Sequence, residues 1–186
     1  MITRLLAGLL VAAGLVAVGD GPATSTGPTV TAAHMAFTPS TMAIGVGLTV
    51  TWRFPDEVAH TTTSTQGFWD SGSRSDGDVY THTFTSAGTY PYVCTFHPMM
   101  VGSVRVTVRR IGSPSAGWTL QWATVAGGST FDVQVRRGSA AWRAFRTGTT
   151  RTSAAFAEPE TRSVRARTHA GGATSGWSPA TTVTTG

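Results

Sequence analysis

Short apolar runs that alternate with polar residues, separated by turn-rich pieces, limit most strongly how this chain can fold. Between Thr49 and Arg53 the odd positions are polar, while Leu48, Val50, Trp52 and Phe54 share the opposite face. A period of two is typical of a half-buried antiparallel strand, and turn residues at 70–78 and 86–88 separate such strands. Further runs of this kind are Val58 to Ser64, Val79 to Thr85, Thr89 to Cys94 and Val101 to Val108. The sequence therefore predicts an all-β fold with Greek-key sandwich architecture.

The composition supports a folded chain. Of the 186 residues 40% are apolar and only 12% are charged, which excludes disorder throughout, and 22 Gly with 9 Pro favour many turns over a helical bundle.

The first 19 residues have the pattern of a signal peptide. Arg4 precedes an apolar run of 14 residues from Leu5 to Val18, and small residues at Ala17 and Gly19 frame a cleavage point. The run is shorter than the roughly 20 residues of a membrane-spanning helix, although retention as an anchor stays open. We therefore expect an exported protein, either periplasmic or at the cell surface.

Composition changes along the chain indicate two domains after this segment. Residues 20–28 form a linker rich in Pro, Gly, Ser and Thr, and a second turn-rich boundary follows at residues 110–117. We expect one β-domain at residues 29–110 and another at 111–186, each unfolding separately.

Positive charge is concentrated in the second half. All 14 basic residues are Arg; residues 20–110 hold five Arg against six acids, whereas residues 111–186 hold eight against three. The absence of Lys indicates compositional bias more than a phosphate-binding surface, so we expect no nucleic-acid partner. Contact of the Arg-rich second half with a cell wall or another anionic polymer stays open. We expect a monomer.

The only cysteine, Cys94, lies in a pattern typical of metal ligands. A single cysteine excludes an intramolecular disulfide, a Cys-x-x-Cys redox pair and an iron–sulfur cluster. Cys94, His97 and Met100 follow an alternating strand at spacings of three, and Pro98 favours the tight turn that would bring them together. A second imidazole is available from His60. Two imidazoles, a thiolate and a weak axial thioether select copper, whereas magnesium and a catalytic zinc fit this set poorly.

The other histidines and methionines have simpler interpretations. His82 shares the face of neighbouring aromatic residues and is predicted to be packed without a metal role, whereas His34 is predicted to lie at the surface. Met35 and Met42 are predicted to fill the core.

Residues 84–102 (FTSAGTYPYVCTFHPMMVG) resemble the copper loop of the cupredoxins, the type 1 blue copper proteins, and are most similar to the amicyanin and plastocyanin-like group. Residues 37–39, 47–52 and 59–64 resemble the same family in the same order, so that the resemblance covers about residues 29–109. It implies a Greek-key cupredoxin sandwich. It also implies one copper ion held by four ligands: His60, Cys94, His97 and Met100. Thr61 departs from the family, which has Asn there, and we expect this to alter the hydrogen bonding around the thiolate.

The resemblance implies a carrier of single electrons between redox partners. A partner would dock at the edge of His97, on an apolar patch formed by Phe96, Pro98 and Met99. We expect no enzymatic activity, because four protein ligands leave no open position for a substrate. Two alternatives stay open: a copper storage or delivery protein, and a cell-surface adhesion protein in which copper is structural.

Residues 112–184 resemble a fibronectin type III domain. The matching pieces are Trp122, residues 131–136, residues 164–167 and the Gly-Trp-Ser-Pro sequence at 176–179. The resemblance implies a second β-sandwich that serves as a spacer or docking element.

Overall fold

The regular secondary structure of this computed structural model is β-strand throughout the residues it describes, 27–157 and 160–185. The signal peptide expected at residues 1–19 and most of the linker at 20–28 lie outside those residues. Over the described part of the chain, no helix is both long and apolar enough to span a membrane. The prediction of an all-β fold is confirmed.

Eight strands build a two-sheet sandwich in the first half. They are β1 (Thr29–Ala33), β2 (Ala36–Thr38), β3 (Thr41–Gly45), β4 (Thr49–Phe54), β5 (Thr63–Ser64), β6 (Asp78–Thr83), β7 (Gly88–Val93) and β8 (Val101–Thr107). One sheet has the order β2-β1-β4-β6 and the other β3-β8-β7-β5. The pairs β1–β4 and β3–β8 are parallel although the remaining pairs are antiparallel, so neighbours in the sheets are often distant in sequence. This crossing pattern is the predicted Greek-key arrangement.

Aromatic side chains from both sheets fill the space between them. Trp52 of β4 and Tyr92 of β7 are fully buried, with ring centroids 5.6 Å apart in an edge-to-face arrangement. Phe37 contacts Tyr92 from the other side at 4.6 Å. Because β7 pairs with both β5 and β8 and its Tyr92 ring packs against two other rings, the chain leaves the sheet at Cys94 from a fixed position.

Eight further strands form the second half. They are β9 (Arg109–Ser113), β10 (Gly117–Gln121), β11 (Thr130–Arg136), β12 (Arg143–Thr149), β13 (Ser153–Phe156), β14 (Arg162–Ala170), β15 (Ala173–Thr174) and β16 (Thr181–Val183). One sheet has the order β13-β10-β9; in the other, β12, β11 and β14 are neighbours, and β14 also pairs with β15 and β16. Leu120, Trp122, Val133 and Val164 are fully buried between the sheets.

An alternating stack of guanidinium and indole groups covers the outer face of β11 and β14. Trp142 lies between Arg136 and Arg165, at 4.4 and 4.2 Å from ring centroid to guanidinium carbon. Trp177 lies between Arg165 and Arg167, at 4.5 and 4.7 Å. Each indole therefore packs against two cations, which places part of the Arg excess in structural contacts.

The two halves meet along a hydrogen-bonded junction at the start of β7. Thr89 and Gly176 exchange both backbone hydrogen bonds at 2.9 Å, and the Ala87 N–H donates to the Trp122 carbonyl at 2.7 Å. The buried Thr168 hydroxyl donates to the Ala87 carbonyl at 3.0 Å. A Cβ added at Gly88 would lie 2.4 Å from the Ser175 hydroxyl oxygen, so glycine permits this close approach.

The segment expected to be a boundary, residues 110–117, is itself regular structure. It contains most of β9 and the turn into β10, and only Val108 separates β8 from β9. Thr181 fixes this connection by donating to the Val108 carbonyl at 3.0 Å.

Two predicted core residues are exposed. Leu48 precedes β4 and is 47% exposed, because Gly47 has a positive φ of 85° and the strand begins only at Thr49. Met35 is 62% exposed, because it lies with His34 in the positive-φ turn between β1 and β2. Met42, by contrast, packs against the core as predicted.

Candidate metal centre

Three donor side chains converge at one end of the first sandwich. Cys94 follows β7 directly, and its side chain is fully buried. His60 lies in the connection between β4 and β5, where a backbone bridge to Arg74 holds it, and it is also fully buried. His97 lies in the loop between β7 and β8 and is half-buried.

The distances within this group suit a single metal ion. The Sγ of Cys94 lies 3.9 Å from Nδ1 of His60 and 3.4 Å from Nδ1 of His97. The three donor atoms all lie within 4.8 Å of one another, and the two imidazole centroids are 4.9 Å apart. One ion can therefore reach two neutral imidazole nitrogens and one thiolate at once.

Backbone hydrogen bonds explain how the seven residues 94–100 turn tightly enough. The Cys94 N–H donates to the Met100 carbonyl at 3.0 Å, and the Met100 N–H donates to the His97 carbonyl at 2.8 Å. The His97 N–H donates to the Cys94 carbonyl at 3.3 Å. The loop therefore closes on itself and keeps His97 beside Cys94.

The adjacent methionines of this loop have opposite environments. Met100 is 1% exposed, whereas Met99 is 92% exposed. Met100 is thus on the buried side of the loop, whereas Met99 is on the solvent side.

The hydrogen bond to the Cys94 sulfur comes from the backbone. The Thr61 N–H donates to Sγ at 3.3 Å. The Thr61 hydroxyl oxygen instead accepts from the Thr95 N–H at 2.9 Å and from the Thr63 hydroxyl at 2.9 Å. The departure at this position therefore leaves the sulfur with its backbone donor, and the side chain of Thr61 joins the two loops around the site.

Asp56 is a member of the site that sequence reasoning missed. Its carboxylate oxygens lie 3.2 and 3.3 Å from Nε2 of His60, and it also accepts the His34 N–H at 2.9 Å. Burial raises the pKa of Asp56, but the hydrogen bonds from His34 and His60 outweigh it and hold this pKa below its usual value. A carboxylate on Nε2 fixes the ring so that Nδ1 faces Cys94. The only sequence signal was an acidic residue four positions before His60.

An apolar rim surrounds the edge of His97. Met35, Phe96, Pro98 and Met99 line a shallow cavity of about 220 Å³ together with His97 and Met100. The expected patch therefore contains one residue, Met35, that sequence analysis had assigned to the core.

Comparisons with known proteins show similarity to copper-binding proteins. The model of the family of copper-binding proteins that includes plastocyanin and azurin matches residues 25–107. Amicyanin-alpha of Methylorubrum extorquens (strain ATCC 14718 / DSM 1338 / JCM 2805 / NCIMB 9133 / AM1) is 35% identical over 107 residues, which are 52% of this chain and 84% of that protein.

Solved amicyanin structures are also similar. The oxidised form of a methionine-to-leucine mutant of amicyanin is 32% identical, with a TM-score of 0.41 over 43% of this chain and 81% of that one. The reduced form of a tryptophan-to-tyrosine mutant is 31% identical, with a TM-score of 0.42 over 45% and 86%.

The cofactor of the centre is copper, on the basis of the family and of the two imidazoles and one thiolate that converge there. The chain belongs to the plastocyanin/azurin family of copper-binding proteins.

Proposed function

We propose that the protein is an exported carrier of single electrons that holds one copper ion with His60, Cys94, His97 and Met100. The observation that carries this proposal is the convergence of three donor atoms within 4.8 Å of one another at the end of a rigid sandwich. Copper bound to such a set changes between its cupric and cuprous states by one electron. The burial of Met100 and the exposure of Met99 support Met100 as the axial ligand.

The residues around the donors favour fast electron exchange by holding the site still. Asp56 fixes the ring of His60, and the Thr61 N–H fixes the sulfur of Cys94. His97 is held by the closed loop. Because these contacts lie within the protein framework, little needs to rearrange when the charge at the site changes.

The proposed partner is a redox protein that docks over His97. Phe96 and Met99 are 53% and 92% exposed around the half-buried imidazole. Encounters between redox proteins bury little area, so a small apolar rim is sufficient. We propose no enzymatic activity, since four donors would fill the coordination of the ion.

The second half is proposed to be a fibronectin type III-like domain at residues 111–186, after a copper domain at 29–110. Its three-stranded and larger sheets around one core support this assignment. We propose that it acts as a spacer or docking element in a monomer, with a cell wall or anionic polymer as its contact. A signal peptide at residues 1–19 would direct export.

The test is visible absorption and voltammetry of the purified protein with cupric ion. We expect a blue colour from thiolate-to-copper charge transfer and a reversible one-electron wave. Replacing Cys94 by Ser should abolish the colour, because oxygen cannot supply that transition, whereas Thr95→Ser in the same loop should retain it. Colour in the Cys94 variant would contradict the ligand assignment. Copper binding without a reversible wave would favour storage or delivery.

A further inference from the structure

A cleft of about 180 Å³ lies at the junction of the two halves, away from the copper loop. Phe68, His82, Phe84 and Tyr90 of the first half line one side. The other side comes from the second half, in part from Ser129, Thr168 and Ala170. A cavity of about 150 Å³ can hold benzene, so this cleft is large enough for one six-membered ring.

Trp69 lies behind the aromatic wall of this cleft. Its ring stacks on His82 at 5.0 Å between centroids, and meets Phe84 edge-to-face at 5.2 Å. It also contacts Tyr90 at 6.5 Å, and it is itself only 7% exposed. Three of the four aromatic rings that line the cleft therefore contact one buried indole.

Trp69 is also connected to the copper ligand Cys94. Its Nε1–H donates to the Thr62 hydroxyl oxygen at 3.3 Å. Thr62 is bonded to Thr61, whose N–H donates to Cys94 Sγ at 3.3 Å. The rate of electron tunnelling falls less steeply with distance through covalent bonds and hydrogen bonds than across gaps between atoms. This path therefore links the cleft to the thiolate without passing through His97.

Two polar side chains face the cleft from opposite halves. Within the described residues, neither the ring nitrogens of His82 nor the hydroxyl of Ser129 has a hydrogen-bond partner in the protein. Burial lowers the pKa of His82, which favours a neutral imidazole that can accept a hydrogen bond. A ring with two hydroxyl groups would find an acceptor on one side and a hydroxyl on the other.

We propose that this cleft binds a small aromatic diol and that Trp69 relays one electron from it towards Cys94. The step rests on the proposed electron-carrier function, which supplies the cupric acceptor. One O–H bond of the diol would break, with the proton passing to His82 and the electron passing through Trp69 towards Cys94. Cupric copper held there by the site residues would supply the acceptor of that electron. The diol leaves as a neutral oxygen-centred radical.

Hydroquinone is the probe, and binding is measured first on the metal-free full-length protein. Titration should shift the NMR signals of the His82 ring and saturate. Ala170→Leu should fill the cleft without touching the aromatic relay and weaken binding by about ten-fold. Trp69→Phe should leave binding nearly unchanged. Absence of saturable shifts at His82, or equal affinity in the Ala170 variant, would overturn the proposed site.

Stopped-flow reduction of the cupric protein by hydroquinone tests the relay. The rate should saturate with hydroquinone, and Trp69→Phe should slow it by about ten-fold at saturation. Trp142→Phe is the matched control, since that indole stacks on arginines in the second half, and it should leave the rate unchanged. An unchanged rate in the Trp69 variant would overturn the relay.

Voltammetry separates this proposal from the proposed function. A reversible wave in wild type and in the Trp69 variant, combined with a slower hydroquinone reaction in the variant alone, supports the relay. A reversible wave with no saturable hydroquinone reaction overturns the proposed cleft and relay and leaves the proposed electron carrier unaffected. Loss of the wave in wild type would instead overturn the proposed function.

Discussion

At the scale of single residues, substitutions of Met99 and Met100 test which methionine is the axial ligand. Replacing the buried Met100 by Leu removes the proposed weak axial donor. We expect copper to remain bound and the reduction potential to rise, because a thioether modestly favours the cupric state. Voltammetry of the two leucine variants measures the difference.

The exposed Met99 is the control in this pair. Its replacement by Leu should leave the spectrum and the potential nearly unchanged, and at most slow transfer to a partner through the apolar rim. A large shift of potential in the Met99 variant, with none in the Met100 variant, would reverse the assignment.

Individual site residues were predictable from the sequence where spacing encodes them. The spacing of Cys94 and His97 is visible without a structure, and their donor atoms do lie close together. The role of Met100 as axial ligand stays a prediction. Asp56 was not predictable, because its contact with His60 depends on the path of an irregular loop. Met35 was misplaced because a positive-φ turn interrupts the alternation on which its assignment depended.

At the scale of strands, Gly102 allows β7 and β8 to pack closely. It pairs with Tyr92, and a Cβ at this position would lie 2.3 Å from the tyrosine ring. Since Tyr92 is 1% exposed and held by Phe37 and Trp52, its ring cannot move aside. We expect Gly102→Ala to lower the free energy of unfolding by about 1–3 kcal/mol in urea titrations.

Gly45→Ala in β3 of the same sheet is the control for this strand. No atom lies within 4 Å of the added Cβ, so the variant should be near neutral. Equal decreases in the free energy of unfolding for the two variants would contradict this explanation, because they would show that the contact with Tyr92 does not cause the destabilisation.

A cross-strand ion pair between β11 and β14 gives the fold a dependence on pH. Burial raises the pKa of Asp132, but hydrogen bonds from the Gly148 N–H, His169 and Arg167 outweigh it and lower this pKa below its usual value. The resulting stabilisation is present above the unfolded pKa of about 3.9 and is lost as pH falls through the lower folded value. Asp132→Asn should therefore cost about 1 kcal/mol at neutral pH.

The difference between wild type and the Asp132 variant should shrink in thermal unfolding below about pH 4. Glu57→Gln is the control, because the Glu57 side chain is exposed, and it should have little effect. A difference that is constant from neutral to acid pH would contradict the electrostatic explanation.

Most strands were predictable because one face is apolar, as in β4 and β8. The run from Val58 to Ser64 contains only a two-residue strand, β5. Thr62 and Ser64 are buried there although they are polar. The Thr62 N–H donates to the Ser71 hydroxyl oxygen, and the Thr62 hydroxyl oxygen accepts from the Trp69 Nε1–H. Burial driven by such hydrogen bonds leaves no hydrophobic pattern in the sequence.

At the scale of the whole molecule, the junction should couple the two halves during unfolding. Thr168→Val removes the buried hydroxyl that donates to the Ala87 carbonyl. We expect the free energy of unfolding to fall by about 1–3 kcal/mol. Loss of the blue colour, which reports on the first half, and loss of the native NMR signals of Val133 and Val164, which are buried in the second half, should shift together.

Thr182→Val, an exposed position on β16, is the control for that substitution. Separate transitions in wild type would favour the independent domains expected from the sequence.

The coupling was not predictable, because Thr89 and Gly176 are 87 positions apart and join through backbone atoms, which carry no sequence signal.

The single residue between β8 and β9 has a consequence for how the molecule meets its surroundings. Only Val108 lies between β8 and β9, and the Thr181 hydroxyl donates to its carbonyl, so the connection between the two halves is short and held in place. We therefore expect the two halves to tumble together in solution. If the second half rests on a surface, that attachment sets the direction in which the apolar rim around His97 points, and a partner approaching from another side does not reach the edge of His97.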